Sequence, residues 1–190
     1  GSNPTSAADT ATPGVSDGVT YNSLAGTICV PAGVTSFTVS VPSVNDSTNE
    51  PSETYSVSVG GVSATGTITD NDGAPSITSV SADSQVEGSS LTHTVSLSNA
   101  SSVASTFAFS IAGSGSNPTS AADTATPVFS DGVTYNSISG TISVPAGVTS
   151  FTVSVPSVNE CPDDSSEAFS FTVDGVSATG TITDDDGAPS

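Results

Sequence analysis

The 190-residue chain contains no lysine, arginine, tryptophan or methionine, and it has only two cysteines and one histidine. Its 19 acidic residues give a formal net charge of −19, so the balancing positive charge must come from solution. This composition excludes nucleic acid as a partner, because neutralising phosphates requires cationic side chains. No apolar run approaches the roughly 20 residues of a membrane span, so we expect no membrane insertion. The charge favours divalent cations as partners.

The remaining composition is typical of an all-β protein. Valine, isoleucine and phenylalanine alternate with serine and threonine in short runs, which glycine, proline and asparagine interrupt. Phe107, Phe109 and Ile111, for example, share one face of an extended segment. We predict strands at residues 77–82, 91–98, 106–112, 133–136, 140–144, 149–155, 167–173 and 178–183. Such a series of short strands predicts an antiparallel sandwich of two sheets.

The chain is built from a repeated unit. Residues 1–76 match residues 115–190 at a constant offset of 114, and both copies begin with the segment GSNPTSAADTATP. We therefore predict tandem sandwiches: an incomplete one over residues 1–76, which lacks its first two strands, and a complete one over residues 77–190. Two explanations stay open. The chain is either a piece of a longer array, or a subunit whose gap is filled by strands donated by a neighbour.

The acidic residues follow strand ends that lie at the same pole of the predicted sandwich. Three consecutive aspartates follow the last strand, and an acidic loop that includes Glu160 follows the strand at 149–155. One strand lies between the strand at 149–155 and the last strand. Because strand direction alternates, these two strands run the same way, and the loops that follow them lie at the same pole. Neighbouring loops add two further acids. The candidate ligands of the second copy are Glu87, Asp123, Asp163, Asp164, Glu167, Asp184, Asp185 and Asp186.

Such a cluster needs a cation or full solvation, since like charges about 4 Å apart repel by about 1 to 4 kcal/mol. Calcium takes six to eight oxygen ligands in a flexible cage, whereas magnesium prefers fewer carboxylates and zinc prefers histidine or cysteine. We therefore expect Ca²⁺. The first copy offers Asp9, Asp46, Glu50, Glu53, Asp70 and Asp72. Asn71 replaces an acid there, which predicts weaker binding.

A series of short motifs resembles a known family. The segments EG, AADTA, GTISVPAG, an acidic loop ending in E-x-F, and GTITDDD occur in the order of the Calx-β motif of sodium–calcium exchangers, integrin β4 and large bacterial surface proteins. The resemblance covers nearly all of residues 77–190 and the later two-thirds of the motif in residues 1–76. It implies an immunoglobulin-like sandwich that holds calcium with the same acids. The loop NECPDDSSEAF departs from the continuous acidic run of the family.

Each cysteine belongs to only one copy, because Cys29 corresponds to Ser143 and Cys161 to Ser47. We expect the two at opposite poles. A strand of about seven residues spans roughly 23 Å, and a disulfide needs Cα atoms within about 7 Å. We therefore expect an intermolecular disulfide between Cys161 of one subunit and Cys29 of the next. The alternative is that both thiols stay unpaired.

Little in the sequence favours an enzyme. His93 shares a face with Leu91 and Val95 and is expected to point into the sandwich or towards a domain junction, and a triad would need a nucleophile and an acid around it. Glycoside hydrolysis needs two carboxylates across a sugar cleft, and aromatic platforms for a sugar are lacking. Asn45 and Asn99 match the N-glycosylation pattern, so glycans are possible partners.

These observations lead us to expect a non-enzymatic structural protein outside the cell or on its surface. Calcium would stiffen its repeats into a rod, and the subunits would associate end to end. The rod would serve either as the spacer of a bacterial adhesin or as a filament or sheath subunit joined by donated strands and disulfides. A calcium-sensing regulatory domain, which the exchanger resemblance suggests, is a third alternative.

Overall fold

The computed structural model describes residues 3–4, 8–160 and 165–187. The chain divides into two compact units, of which unit 1 comprises residues 1–46 and 51–71, and unit 2 comprises residues 47–50 and 72–190. The described residues form strands without a helix, which confirms the all-β prediction.

Unit 2 is a sandwich of two sheets. Its strands are β8 (Ile77–Val80), β9 (Asp83–Val86), β10 (Ser90–Leu97), β11 (Ser105–Gly113), β12 (Val128–Phe129), β13 (Thr134–Asn136), β14 (Thr141–Val144), β15 (Ser150–Pro156), β16 (Glu167–Val173) and β17 (Val176–Thr183). One sheet has the order β12-β15-β10-β8, and the other has the order β13-β14-β11-β16-β17-β9. Each of the eight predicted strands overlaps an observed one. The short strands β9 and β12 were not predicted.

The core of unit 2 lies between these sheets and consists of the inward residues of alternating strands. Phe151 and Val153 of β15 face Phe169 and Phe171 of β16, and all four are at most 1% exposed. His93 of β10 is also fully buried, as the sequence suggested, and its ring stacks on Phe171 at a centroid distance of 4.5 Å. Twelve other buried apolar residues and five partly buried neighbours complete this cluster, and the serines and threonines between them face outwards.

Tight turns fix the register of this sandwich. The two-residue turn between β16 and β17 is Asp174-Gly175, with φ angles of 47° and 83°, and Val173 pairs with Val176 across it. Positive φ at both positions is typical of the hairpin turn whose twist matches that of the strands, and Asp-Gly favours it. Within the register, Gly180 lies opposite Phe169, whose ring occupies the space that a Cβ atom at residue 180 would need.

Unit 1 contains β1 (Asn3–Pro4), β2 (Gly14–Val15), β3 (Thr20–Asn22), β4 (Thr27–Cys29), β5 (Val39–Ser40), β6 (Glu53–Val59) and β7 (Val62–Ile68). They form three small sheets, β1-β6-β7, β2-β5 and β3-β4. At the offset of 114 these correspond to the C-terminal strands of unit 2, and the described part of unit 1 has no counterpart of β8, β9, β10 or β11.

Candidate metal centre

The acidic pole of unit 2 is created by a parallel pair of strands. β17 pairs in parallel with β9, from Gly180 opposite Asp83 to Thr183 opposite Val86. The next residue, Glu87, continues this ladder, because its N–H donates to the carbonyl of Thr183 at 3.0 Å. Parallel strands leave a sheet at the same edge, so Glu87 and the aspartates that follow β17 come together although they are almost one hundred positions apart.

Glu87 is one of the two buried acids of this pole; like Asp123, it has 8% of its surface exposed. Its Oε2 accepts a hydrogen bond from the N–H of Glu160 at 2.9 Å, and its Oε1 accepts one from the N–H of Asp185 at 3.4 Å. These two backbone donors partly compensate for the loss of water around the carboxylate. The chain has no lysine or arginine that could offset the remaining cost of burying this charge.

Two aspartates after β17 complete a group that could hold a metal ion. Glu87, Asp184 and Asp186 each offer a carboxylate oxygen, and these oxygens all lie within 4.8 Å of one another. Calcium–oxygen bonds of 2.3–2.6 Å put ligands on opposite sides of the ion about 5 Å apart, so this spacing suits a calcium ion. The Oδ2 atom of Asp186 is buried and has no hydrogen-bond partner, which leaves a ligand atom available. The donor set and the unpaired oxygen therefore fit a divalent cation.

A second group of acids lies around a small adjacent cavity. Glu87 and Asp184 line it too, together with three further acids, Asp123, Glu160 and Glu167. Its volume of about 10 Å³ is room for roughly one water-sized particle. Five carboxylates therefore surround the cavity. Asp186, which shares Glu87 and Asp184 as neighbours, adds a sixth carboxylate to the acidic pole.

Asp123 reaches this cavity from the loop between β11 and β12. The bridge between Thr124 and Ser157 holds that loop against the end of β15, and the carbonyl of Asp123 accepts from the N–H of Val158 at 2.9 Å. Its carboxylate accepts a hydrogen bond from the N–H of Ser120. The segment 120–123 therefore closes into a tight loop whose acid points at the pole.

The protonation of Asp123 is set by its neighbours. Burial raises the pKa of this carboxyl group, but hydrogen bonds from the backbone and side chain of Ser120 and from Glu167 and Glu160 outweigh burial, and the pKa lies below its usual value. Asp123 is therefore ionised at neutral pH and offers a charged oxygen to a cation.

The structure brings together most of the predicted ligands that it describes. Glu87, Asp123, Glu167, Asp184 and Asp186 meet at one pole, and exposed Asp185 contributes its backbone N–H while its carboxylate accepts from Asn159 at 3.4 Å. Asp163 and Asp164 lie outside the described residues. Glu160, which lies in the acidic loop, was not among the predicted ligands. Its counterpart at the offset of 114 is Asp46, which was a predicted ligand of the first copy, so this equivalence could have identified Glu160.

The predicted ligands of the first copy are divided between the two units. Asp9, Asp46, Glu53 and Asp70 belong to unit 1, whereas Glu50 and Asp72 belong to unit 2. Within unit 1, Asp9 and Asp46 each offer an oxygen within 4.8 Å of the other. The carbonyl of Asp9 accepts from Val44 at 2.9 Å, as that of Asp123 does from Val158. The described residues of unit 1 include no counterpart of Glu87, so they provide only part of the set seen in unit 2.

The two cysteines, the histidine and the two asparagines of the N-glycosylation pattern are the remaining candidates. Cys29 is exposed on β4, and Cys161 lies outside the described residues, so their bond stays a prediction. The Nδ1 atom of His93 lies 2.8 Å from the carbonyl of Ser81, and its buried Nε2 has no hydrogen-bond partner. The amide of Asn99 donates to the carbonyls of Gly73 and Ala100, and that of exposed Asn45 donates to Asp46.

Comparison of the sequence with models of known protein families and with curated proteins gave no match. Among the described residues there is no helix long and apolar enough to cross a membrane.

Proposed function

We propose that this protein is a non-enzymatic structural protein of the cell exterior, in which calcium binds at the acidic pole of each complete sandwich. The observation that carries the proposal is the position of Glu87. This carboxylate is almost completely buried among other acids, and the buried Oδ2 of Asp186 beside it has no hydrogen-bond partner. Without a cation, the free energy of folding would have to offset the repulsion of several carboxylates.

The chemistry of the ligands favours calcium over other divalent ions. Every side-chain ligand of the described pole is a carboxylate, which suits a hard cation that takes six to eight oxygens. Zinc would require histidine or cysteine, and the single histidine is buried in the sandwich core. The candidate set is larger than the one or two carboxylates with which magnesium is usually bound.

Calcium would act on the shape of the protein as well as on its stability. In each copy the acids directly follow the last strand, at the point where the chain leaves the sandwich. Cation binding there removes carboxylate repulsion and fixes the direction of the departing segment. A string of such units becomes stiffer, as a spacer of a surface adhesin requires. Sites with a dissociation constant of about 10⁻⁴ to 10⁻³ M are filled at extracellular calcium concentrations.

The test is thermal unfolding of the full chain, followed by circular dichroism, in a chelator, in millimolar calcium and in millimolar magnesium. Calcium at about ten times its dissociation constant stabilises the native state by about 1.4 kcal/mol, so the transition of unit 2 should move upwards by a few degrees. Magnesium should have a smaller effect. Identical transitions in all three solutions would contradict the proposal.

A second candidate function is that of a filament or sheath subunit assembled by donated strands. One specific observation favours it: apolar residues of unit 1 whose equivalents are fully buried in unit 2 remain partly exposed. The two uses are separated by electron microscopy of the native material. Fibres that survive a chelator but fall apart in a reductant support the filament, and rods that become flexible in a chelator support the spacer.

A further inference from the structure

A groove opens on one flank of unit 2, beside the second half of β11. Ser105–Ala108 of this strand pair with β14, and Phe109–Gly113 pair with β16 on the opposite edge. The N–H of Phe109 still donates to the carbonyl of Gly140 on the β14 side, at 2.9 Å. Among the strands of the described residues, none continues along this side of β11, so its backbone beyond Phe109 borders the groove.

The walls of this flank groove are uncharged, and its floor belongs to the core. It has a volume of about 410 Å³ and is lined by Phe109 and Ile111, by Tyr135 and by uncharged residues of the loop between β11 and β12. The N–H of Thr119 donates to the carbonyl of Ala168 at 3.0 Å, which fixes one end of that loop. A hydrogen bond of 2.8 Å from the N–H of Ala125 to the carbonyl of Pro156 fixes the other. The groove is therefore formed before anything enters it.

The hairpin of β13 and β14 presents a large apolar side chain to solvent. Ile138 at its tip is 98% exposed. The Oδ1 atom of Asn136 accepts hydrogen bonds from the N–H groups of Ile138 and Ser139, at 3.0 and 3.3 Å. The N–H of Gly140 donates to the carbonyl of Asn136 at 2.9 Å. Because these bonds already order the tip, little backbone freedom is lost when Ile138 becomes buried against another surface.

The same tip occurs in unit 1, where Leu24 is the equivalent of Ile138. Leu24 is completely exposed, and Oδ1 of Asn22 accepts from the N–H groups of Leu24 and Ala25, both at 3.1 Å. The amino acids at the tip differ between the two copies, but a large aliphatic side chain is present in both. Two tips built alike, each with such a side chain in water, indicate contact with an apolar surface.

We propose that two copies of this chain associate reciprocally, with Ile138 of each copy inserted into the flank groove of the other, above Phe109 and Ile111. Tyr135 lines the groove and lies three positions before Ile138 in the same hairpin, so the groove and the inserted residue are neighbours on one surface. A twofold axis between them brings each one to its complement. This is the isologous arrangement of a closed dimer.

Charge favours a second copy at this surface. Two chains with a formal charge of −19 repel one another wherever their acids approach. Residues 132–159, which include the hairpin, contain no acid, and no charged residue lines the groove. Two copies therefore meet here with the least repulsion. A basic partner, in contrast, would be attracted to the acids and not to this neutral surface.

The reciprocal arrangement also distinguishes Ile138 from Leu24. Leu24 of one copy could enter the groove of another, but each such association would bury one side chain. The reciprocal dimer buries two isoleucines for a single loss of translational and rotational freedom, so it forms at a lower protein concentration. The contact requires no ion at the acidic pole, and it is independent of the proposed role of calcium.

The experiment is sedimentation equilibrium of the full chain in a chelator, with both cysteines replaced by serine, so that neither calcium nor a disulfide links the copies. A monomer–dimer equilibrium is expected, and the dimer should become tighter between roughly 0.05 M and 0.5 M NaCl because salt screens the repulsion. Ile138→Ser should weaken the dimer at least about 100-fold, since two buried isoleucines are lost. Leu24→Ser is the matched control and should leave the dissociation constant unchanged.

The groove is tested by Ala125→Phe. Ala125 is exposed and lines the groove, so a larger side chain there occupies the groove while the backbone hydrogen bond to Pro156 stays. This variant should weaken the dimer as strongly as Ile138→Ser does. A mixture of the two variants should form a heterodimer, because one copy keeps Ile138 and the other keeps an open groove. Its dissociation constant should lie between those of the wild type and the single variants, since one contact of two remains.

Three results would overturn the proposal. The first is a wild-type chain that stays monomeric at about 1 mM. The second is a dimer that tolerates Ala125→Phe, which would point to pairing along β13, the exposed edge strand of the larger sheet. The third is an equal loss of affinity with Leu24→Ser and Ile138→Ser, which would assign the contact to both tips. Circular dichroism spectra that match the wild type establish that each variant is folded.

Discussion

The carboxylate of Glu87 accepts a hydrogen bond from the backbone N–H of Glu160, 2.9 Å away, and so ties the start of unit 2 to its penultimate loop. Both residues are acids of the same pole, and Asp184 lines the cavity with them. The backbone holds these acids together independently of any ion. Binding of a cation therefore does not require the loops to be gathered first, and less free energy is lost in ordering them.

The Glu87→Gln variant should respond less to calcium than the wild type. In a chelator two effects oppose one another: the loss of one charge lowers repulsion, but the amide nitrogen cannot accept from one of the two backbone N–H groups that Glu87 binds, so the two proteins should differ by no more than about 1 kcal/mol. In calcium the variant loses a ligand and should gain less stability than the wild type by about 1 kcal/mol or more. Melting curves of both proteins in both solutions measure this.

Asp174→Asn is the matched control for that comparison. It removes one charge at the turn between β16 and β17, away from the acidic pole, and asparagine tolerates the positive φ of 47° there. The response of this variant to calcium should equal that of the wild type. If Glu87→Gln and Asp174→Asn respond alike, Glu87 is not a ligand.

Acid should weaken unit 2 partly through Asp83. The N–H of Thr92 donates to Oδ2 of Asp83 at 2.6 Å, and with the N–H of Ser84 and the amide of Gln85 it outweighs burial, so the pKa of this carboxyl group lies below 3.8. A lowered pKa in the folded state stabilises the protein above pH 3.8, and this contribution is lost as the pH falls through the folded value.

The Asp83→Asn variant should therefore be less stable than the wild type at pH 7, and the difference should shrink at about pH 2. Urea unfolding at both pH values, in a chelator so that the metal centre does not contribute, tests this. If the two proteins differ in free energy of unfolding by the same amount at pH 7 and at about pH 2, the charge of Asp83 does not contribute to stability.

The repeat provides matched positions for comparing how closely the two units are packed. Val153 is completely buried and its equivalent, Val39, is partly exposed, within the same local sequence. Val153→Ala should cost about 2–3 kcal/mol because it leaves a cavity, whereas Val39→Ala should cost less than about 1 kcal/mol. Native-state hydrogen exchange reports the two units separately. Equal costs would mean that unit 1 is as closely packed as unit 2.

The predicted bond between Cys29 and Cys161 should produce covalent oligomers. Electrophoresis of oxidised protein without a reductant should give a ladder, and a reductant should collapse it to the monomer. Cys29→Ser and Cys161→Ser should each limit the products to dimers, because one thiol per chain remains. A monomer band alone in the oxidised wild type would contradict the intermolecular disulfide.

Much of the fold of unit 2 could be predicted because its inward residues alternate with serine and threonine, as Phe169, Phe171 and Val173 do. β9 escaped prediction because DSQV has no such alternation and most of it is exposed. The same omission hid the reason for the acidic pole, since the parallel pairing of β9 with β17 brings Glu87 to it. The contact of the Glu160 backbone N–H with Glu87 was not predictable from a side-chain pattern, although the equivalence with Asp46 could have identified Glu160 as an acid of the pole.

The parallel pairing of β9 with β17 has a mechanical consequence. When the ends of unit 2 are pulled apart, the two strands are drawn in opposite directions along their length, so their hydrogen bonds are loaded together in shear rather than opened one after another. Glu87 and the aspartates after β17 lie at the end of this pair, where a bound cation would act as a clasp. The pairing of β9 with β17 therefore resists a force that pulls the two strands apart along their length, and a bound cation would add to that resistance.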